Sequence, residues 1–123
     1  MSSETKTYNG WTNYETWNVA LWLDNEQGSQ RYWQGEARTA CEDAEATTYS
    51  TRLEVAARAL AERLKEEIEE SAPDLGASMF SDLLGAALSE VNWDEIASHY
   101  VDEEMPGVLE DETPDEDDDS EDA

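Results

Sequence analysis

TRLEVAARALAERLKEEIEE, residues 51–70, is the stretch that decides the fold. Leu53, Ala56, Ala57, Leu60, Ala61, Leu64 and Ile68 recur at three- and four-residue spacing, which gathers them into one stripe of an α-helix. Charged residues fill the remaining positions. Glu54–Arg58, Arg58–Glu62, Arg63–Glu67 and Lys65–Glu69 stand one turn apart with opposite charge, each pair adding about 0.2–0.5 kcal/mol to the helix. An apolar stripe of this width has to be covered, and periodicity locates the helices that cover it.

Upstream, Thr12 and Glu15 have capping-box spacing and open a helix over about 13–26. Tyr14, Trp17 and Leu21 share one face of it, Val19 and Leu23 lie opposite, and Trp22 sits at the side. A helix apolar nearly all round is a central one. Gly28 closes it. Ser29 then caps a second helix to Ala46, with Tyr32, Trp33, Ala37, Ala40, Cys41 and Ala44 inward. Gly35 weakens that helix by up to about 1 kcal/mol relative to Ala. Downstream, Ser71 to Asp74 ends the third helix, and a fourth over 78–91 turns Met79, Phe80, Leu83, Leu84, Ala87, Leu88 and Val91 toward the core. Asn92 and Glu95 form a second capping-box-like pair and open a fifth helix to Glu104, along which Trp93, Ile96, Ala97 and Tyr100 repeat at helical spacing.

The fold class is therefore all-α, a compact bundle of about five helices. It occupies residues 9–105, after a flexible lead-in over 1–8 and before a disordered acidic tail over 106–123 that starts at Pro106-Gly107. Between Glu110 and Asp122 there are 10 acids and no base. Such a segment buries too little surface to offset its ordering entropy. The expected structural core is Tyr14, Trp17, Leu21, Trp22, Leu60, Leu64, Leu83, Leu84, Trp93, Ile96 and Tyr100.

Thirty-two acids face 7 bases, a net charge of −25 in 123 residues. That field repels duplex nucleic acid and anionic membrane, so neither is expected as a direct ligand. Basic protein surfaces, cations or a very salty solvent suit it. No apolar run reaches the ~18 residues of a membrane span. MSSETKTYNG lacks the basic-then-apolar order of a signal peptide, and the lone Cys41 suits a reducing compartment, so the cytoplasm is expected.

Little in the sequence supports catalysis. With His99 and Cys41 the only residues of their kinds, no zinc ligand set or nucleophile–base pair can be assembled. Lys6 and Lys65 are the only lysines, and neither follows a glycine-rich phosphate loop. The run DEDDDSED at 115–122 lacks the central glycine and spaced ligands of a calcium loop. No enzymatic activity, metal or cofactor is expected. Cys41 reads as a buried structural thiol whose pKa Glu42, Asp43 and Glu45 raise. His99 falls off the Trp93/Ile96/Tyr100 stripe and faces solvent.

The charges are segregated along the chain. All 7 bases lie at or before Lys65, and residues 66–123 hold 22 acids and no base. Carboxylates held in rows on helices imitate a line of DNA phosphates and attract proteins built to bind phosphate. Glu66, Glu69, Glu70, Asp82, Glu90, Asp94, Glu95, Asp102, Glu103 and Glu104 form the candidate partner-binding surface. Adaptation to molar KCl is the competing account, and Arg outnumbers Lys 5 to 2 as it would require. In that case binding falls to an aromatic surface around Trp11 and Trp33. Asn9 and Asn13 are expected to cap helix ends, and Asn18, in mid-helix, to make a structural hydrogen bond.

Tyr8-Asn9-Gly10-Trp11-Thr12-Asn13-Tyr14-Glu15-Thr16-Trp17-Asn18-Val19, continued by Leu23-Asp24-Asn25, resembles a group of short proteins from salt-loving archaea, phages and plasmids that share an NGWTNYETWNV-type N-terminal segment. The resemblance implies a mobile-element or halophilic setting and carries over no catalytic residue. In composition the acidic surface is also similar in kind to DNA-mimic anti-restriction and anti-CRISPR proteins. The function expected is that of a non-enzymatic accessory protein binding a basic protein surface, such as that of a nucleic-acid-binding protein.

Overall fold

The computed structural model describes residues 7–112, which form five α-helices: α1 Tyr14–Asn25, α2 Gln27–Asp43, α3 Arg52–Ser71, α4 Met79–Ser89 and α5 Trp93–Glu112. α3 keeps the boundaries its periodicity predicts. A full capping box starts it: Glu54 N–H donates to Thr51 Oγ1 at 3.1 Å, and Thr51 N–H to Glu54 Oε1 at 2.9 Å. Ala56, Leu60, Ala61 and Leu64 are buried, while Leu53 stays at the edge with 39 % exposure. α2, α3 and α5 pack on one another, and α1 lies against α2 and α5. The core they enclose holds Leu60, Leu64, Trp93, Ile96 and Tyr100 together with Trp33, Cys41, Val101 and Val108. Each large apolar side chain there contributes about 1.5–3 kcal/mol.

α1 buries a different face from the one its aromatic residues suggest. Thr16, Ala20 and Leu23 point inward. Tyr14 and Trp22 are 50 % and 64 % exposed, and Trp17 and Leu21 are only half-buried. Polar bonding at the helix start is the cause. Asn13, not Thr12, is the N-cap: its Oδ1 accepts from Thr16 N–H at 2.9 Å and from the Thr16 hydroxyl at 2.6 Å. Its Nδ2 donates to the Glu90 carbonyl at 2.7 Å, and Asn92 N–H donates to Thr16 Oγ1 at 2.8 Å. These bonds pin the Thr16 side of α1 to the chain entering α5.

The Asn92–Glu95 pair is consequently half of a capping box. Asn92 Oδ1 accepts from Glu95 N–H at 3.1 Å. In place of the reciprocal bond, Asn92 N–H goes to Thr16, and Glu95 Oε1 accepts from Thr12 N–H at 3.0 Å. Asn9 caps nothing. With φ of 49° at Asn9 and 89° at Gly10, Tyr8–Trp11 is a two-residue turn of type I′, closed by paired backbone bonds of 2.7 and 2.8 Å. Asn18 is half-buried in α1.

Gly28 does not terminate α1; it lies in the first turn of α2, which starts after the extended residue Glu26. α2 leaves Tyr32 45 % exposed and ends at Asp43, short of Ala46. α4 departs furthest from expectation. Ser78 caps it, but none of its residues is fully buried: Met79, Phe80 and Leu83 are 63 %, 63 % and 59 % exposed, and Leu84 is half-buried. α2, α3 and α5 satisfy one another's apolar faces, and no comparable face is left for α4 to cover.

α5 runs straight through Pro106 and Gly107. Proline lacks the N–H that would bond the Asp102 carbonyl. Burial of Met105 and Val108 on either side, with contacts from Arg38 and Arg52 at the far end, offsets that loss. Helix thus replaces the first part of the expected tail. The lead-in over 1–6 and the tail over 113–123 lie outside the described residues.

The two faces of α1 predict opposite responses. Thr16→Val keeps the shape but leaves Asn92 N–H without its acceptor, and should lower unfolding free energy by about 1–3 kcal/mol. Trp22→Ser should stay within about 0.5 kcal/mol of the parent, whereas Trp33→Ala should cost about 3–5. Urea denaturation midpoints of the three variants check this ordering.

Candidate functional site

The few bases decide where the negative field is free. Arg63, on α3, bridges Glu36 at 2.9 Å and Glu67 at 2.7 Å, and the Tyr32 hydroxyl donates to Glu67 at 2.9 Å. The Arg63 guanidinium holds the Glu67 carboxyl below its ordinary range, and hydrogen bonding to Glu67 pushes the Tyr32 phenol up. Arg52 clamps both Glu112 oxygens at 2.8 and 2.7 Å and also donates to the Cys41 carbonyl near the end of α2. Arg38 pairs with Glu42 at 3.3 Å and with Asp111. These three arginines are therefore engaged by the fold.

Glu66, Glu69, Glu70, Asp82, Glu90, Asp94, Asp102 and Glu103 are exposed, and Glu104 is half-buried. Glu95, half-buried on Thr12 N–H, belongs to the structural clasp and leaves the free surface. Residues 66–112 carry 15 acids and no base, so Lys65, exposed on α3, bounds the field there. Carboxylates at a helix C-terminus oppose the macrodipole. At the end of α5, Arg38 and Arg52 offset this for Asp111 and Glu112. Glu69 and Glu70, in the last turn of α3, form no ion pair among the described residues. On α5, Asp94 and Asp102 stand two turns apart and, with Glu54 and Arg58 of α3, line a shallow groove of about 330 Å³.

The aromatic surface is not the expected pair. Trp33 is buried at 5 % exposure because α2 turns it into the core. Trp11 is half-exposed, its ring 5.5 Å from that of His99, which is exposed and stands 3.6 Å from Glu103. Among the outward aromatics are instead Tyr8, Tyr14 and Trp22; the two tyrosines cluster with half-buried Trp17, the three ring centroids lying 4.9–5.5 Å apart. The Asn-Gly turn places Tyr8 against α1, and that signature was readable from the sequence. The inward turn of Thr16, which leaves Tyr14 outside, was not.

Cys41 is fully buried, and burial, with a further contribution from Glu104, pushes its thiol up to about 11. No group of three or more His, Cys, Asp and Glu side chains that could hold a metal occurs among the described residues. No helix among them is long and apolar enough to cross a membrane.

Residues 4–117 match a family of unknown function, DUF7249, and the chain belongs to it. It matches no curated protein and no solved structure.

Two measurements test this account of the site. Cys41 should resist a thiol-specific disulfide reagent at pH 8 in the folded protein and react at once in denaturant. Arg52 holds the Glu112 carboxyl below its ordinary value of 4.5, so the pair stabilises the end of α5 above that pH. This stabilisation is lost as pH falls through the lowered folded-state value. Amide protection over 108–112 should fall in that acid range, and Glu112→Gln should reproduce the fraying at neutral pH.

Proposed function

We propose that this member of a family of unknown function is a non-enzymatic, cytoplasmic accessory protein that binds the basic surface of a nucleic-acid-binding protein in place of DNA, in an anti-defence role. One observation carries the reading: the described acids from Glu66 onward face solvent in the main, while Arg38, Arg52 and Arg63 are held in ion pairs. The rim at Glu66, Glu69 and Glu70 and the groove carboxylates Asp94 and Asp102 supply the anionic line. Binding of this kind is steered electrostatically and weakens with salt.

Competition against labelled duplex DNA on a purified restriction endonuclease and on a guide-loaded CRISPR effector tests the proposal. The protein should displace the duplex at low salt. A variant combining Glu66→Gln, Glu69→Gln, Glu70→Gln, Asp94→Asn and Asp102→Asn should be about tenfold or more less potent. Equal potency of that variant, or no displacement from either enzyme, would sink it.

The Tyr8–Tyr14–Trp17 cluster, with both tyrosines exposed, favours a second reading, in which the acidity is adaptation to a salty solvent and partners meet the aromatic segment. Circular dichroism melts separate the two. Cooperative unfolding at 0.1 M salt, where the screening length is about 10 Å, is the outcome the first reading requires. Folding only in molar KCl favours the second.

A further inference from the structure

α4 is the apolar element that the fold leaves unused. Leu84, Ala87 and Leu88 are half-buried, and Leu88 packs against the core. On the outer side, Met79, Leu83 and Ala86 follow one another at helical spacing, all exposed; Phe80, one turn before Leu84 in the first turn of the helix, and Leu75 just before it are exposed too. An exposed row of Met, Phe and Leu is a marked feature on a chain of −25. The charges that flank it along the chain are all of one sign. Glu69 and Glu70 precede it at the end of α3, Asp74 lies in the connection, Asp82 is on α4 itself, and Glu90 follows.

From this juxtaposition we infer that the outer face of α4 docks a basic amphipathic helix of a partner protein, with its apolar side chains on Met79, Phe80 and Leu83 and its Lys or Arg residues against the flanking carboxylates. The inference deepens the proposed binding of a basic protein surface and rests on it. Charge complementarity selects this occupant. A second copy would bring another acidic rim against the first. The chain's own residues 113–123, TPDEDDDSEDA, are acidic and hold no large apolar side chain. Methionine adapts its shape to varied partners, and an apolar helix face read at one-turn intervals suits an amphipathic helix.

The test uses full-length protein and three synthetic 18-residue peptides: a Leu/Lys amphipathic helix, a Ser/Lys peptide of equal charge, and a Leu/Glu helix. Fluorescence anisotropy should show the Leu/Lys peptide binding about tenfold or more tighter than the Ser/Lys peptide, with no binding of the Leu/Glu helix. Leu83→Ser with Met79→Ser should remove the preference while leaving Ser/Lys binding in place. In methionine-methyl NMR of the unaltered protein, the Leu/Lys peptide should shift Met79 and leave the buried Met105 unmoved. Equal binding of the two Lys peptides would overturn the inference but leave acidic-surface binding standing. Failure of both to bind would remove the parent reading as well. A concentration-dependent dimer dissociated by Leu83→Glu would assign the face to a second copy instead.

Discussion

The Thr16 hydroxyl, fully buried between the start of α1 and the start of α5, is the contact on which the arrangement depends. It donates to Asn13 and accepts from Asn92, satisfying two elements at once. A helix start leaves backbone N–H groups without partners, and burying them unsatisfied is costly. Here each terminus completes the other: Asn13 reaches Glu90, and Glu95 reaches Thr12. The far end of α1 is tied in the same manner, with the Tyr100 hydroxyl donating to Asp24 at 2.7 Å. Once the Thr16 side faces inward, helical geometry sends Tyr14 and Trp22 outward. The exposed aromatics follow from a polar constraint.

Scarcity of positive charge gives the arginines disproportionate weight. Arg52 joins α2, α3 and the end of α5, Arg38 ties α2 to the same end, and Arg63 joins α2 to α3. Attached to the helices that carry the core, they compensate carboxylates where packing brings the elements together. From Glu66 onward the chain contributes no base to oppose the field. The ion pairs that tie α2, α3 and α5 to one another and the acid-only stretch from Glu66 onward have a common origin in where the seven bases lie along the chain.

How much was legible depended on whether the decisive interaction was local. The stripe of α3 and the Trp93/Ile96/Tyr100 repeat of α5 are periodic, and both appear where the sequence places them. The capping box of Thr51 and Glu54 and the Asn-Gly turn are equally local and could have been read. The orientation of α1 could not, because hydropathy assigns a buried threonine to the surface and an exposed tryptophan to the core. Extension of α5 past Pro106 rests on burial of Met105 and Val108 and on Arg38 and Arg52, 73 and 60 residues away from their partners. For α4, composition states an appetite for burial; whether a partner face exists is decided elsewhere in the chain. The same separation applies to the candidate surface. Its charge was visible in the sequence, but the removal of Glu95 and Trp33 from it required the tertiary contacts.

The clasp between the two helix starts spans 76 to 83 residues of chain. α1 leaves a ribosome before α2 to α5, yet the groups that complete its cap arrive only with residues 90–95. Until then Asn13 and Thr16 have only each other and water. Closing so long a loop carries an entropic cost before any contact compensates it, which slows assembly relative to a bundle built from neighbouring hairpins. Completion of α1 is therefore a late event relative to its own synthesis. Meanwhile the nascent chain holds its aromatic segment open to whatever meets it first.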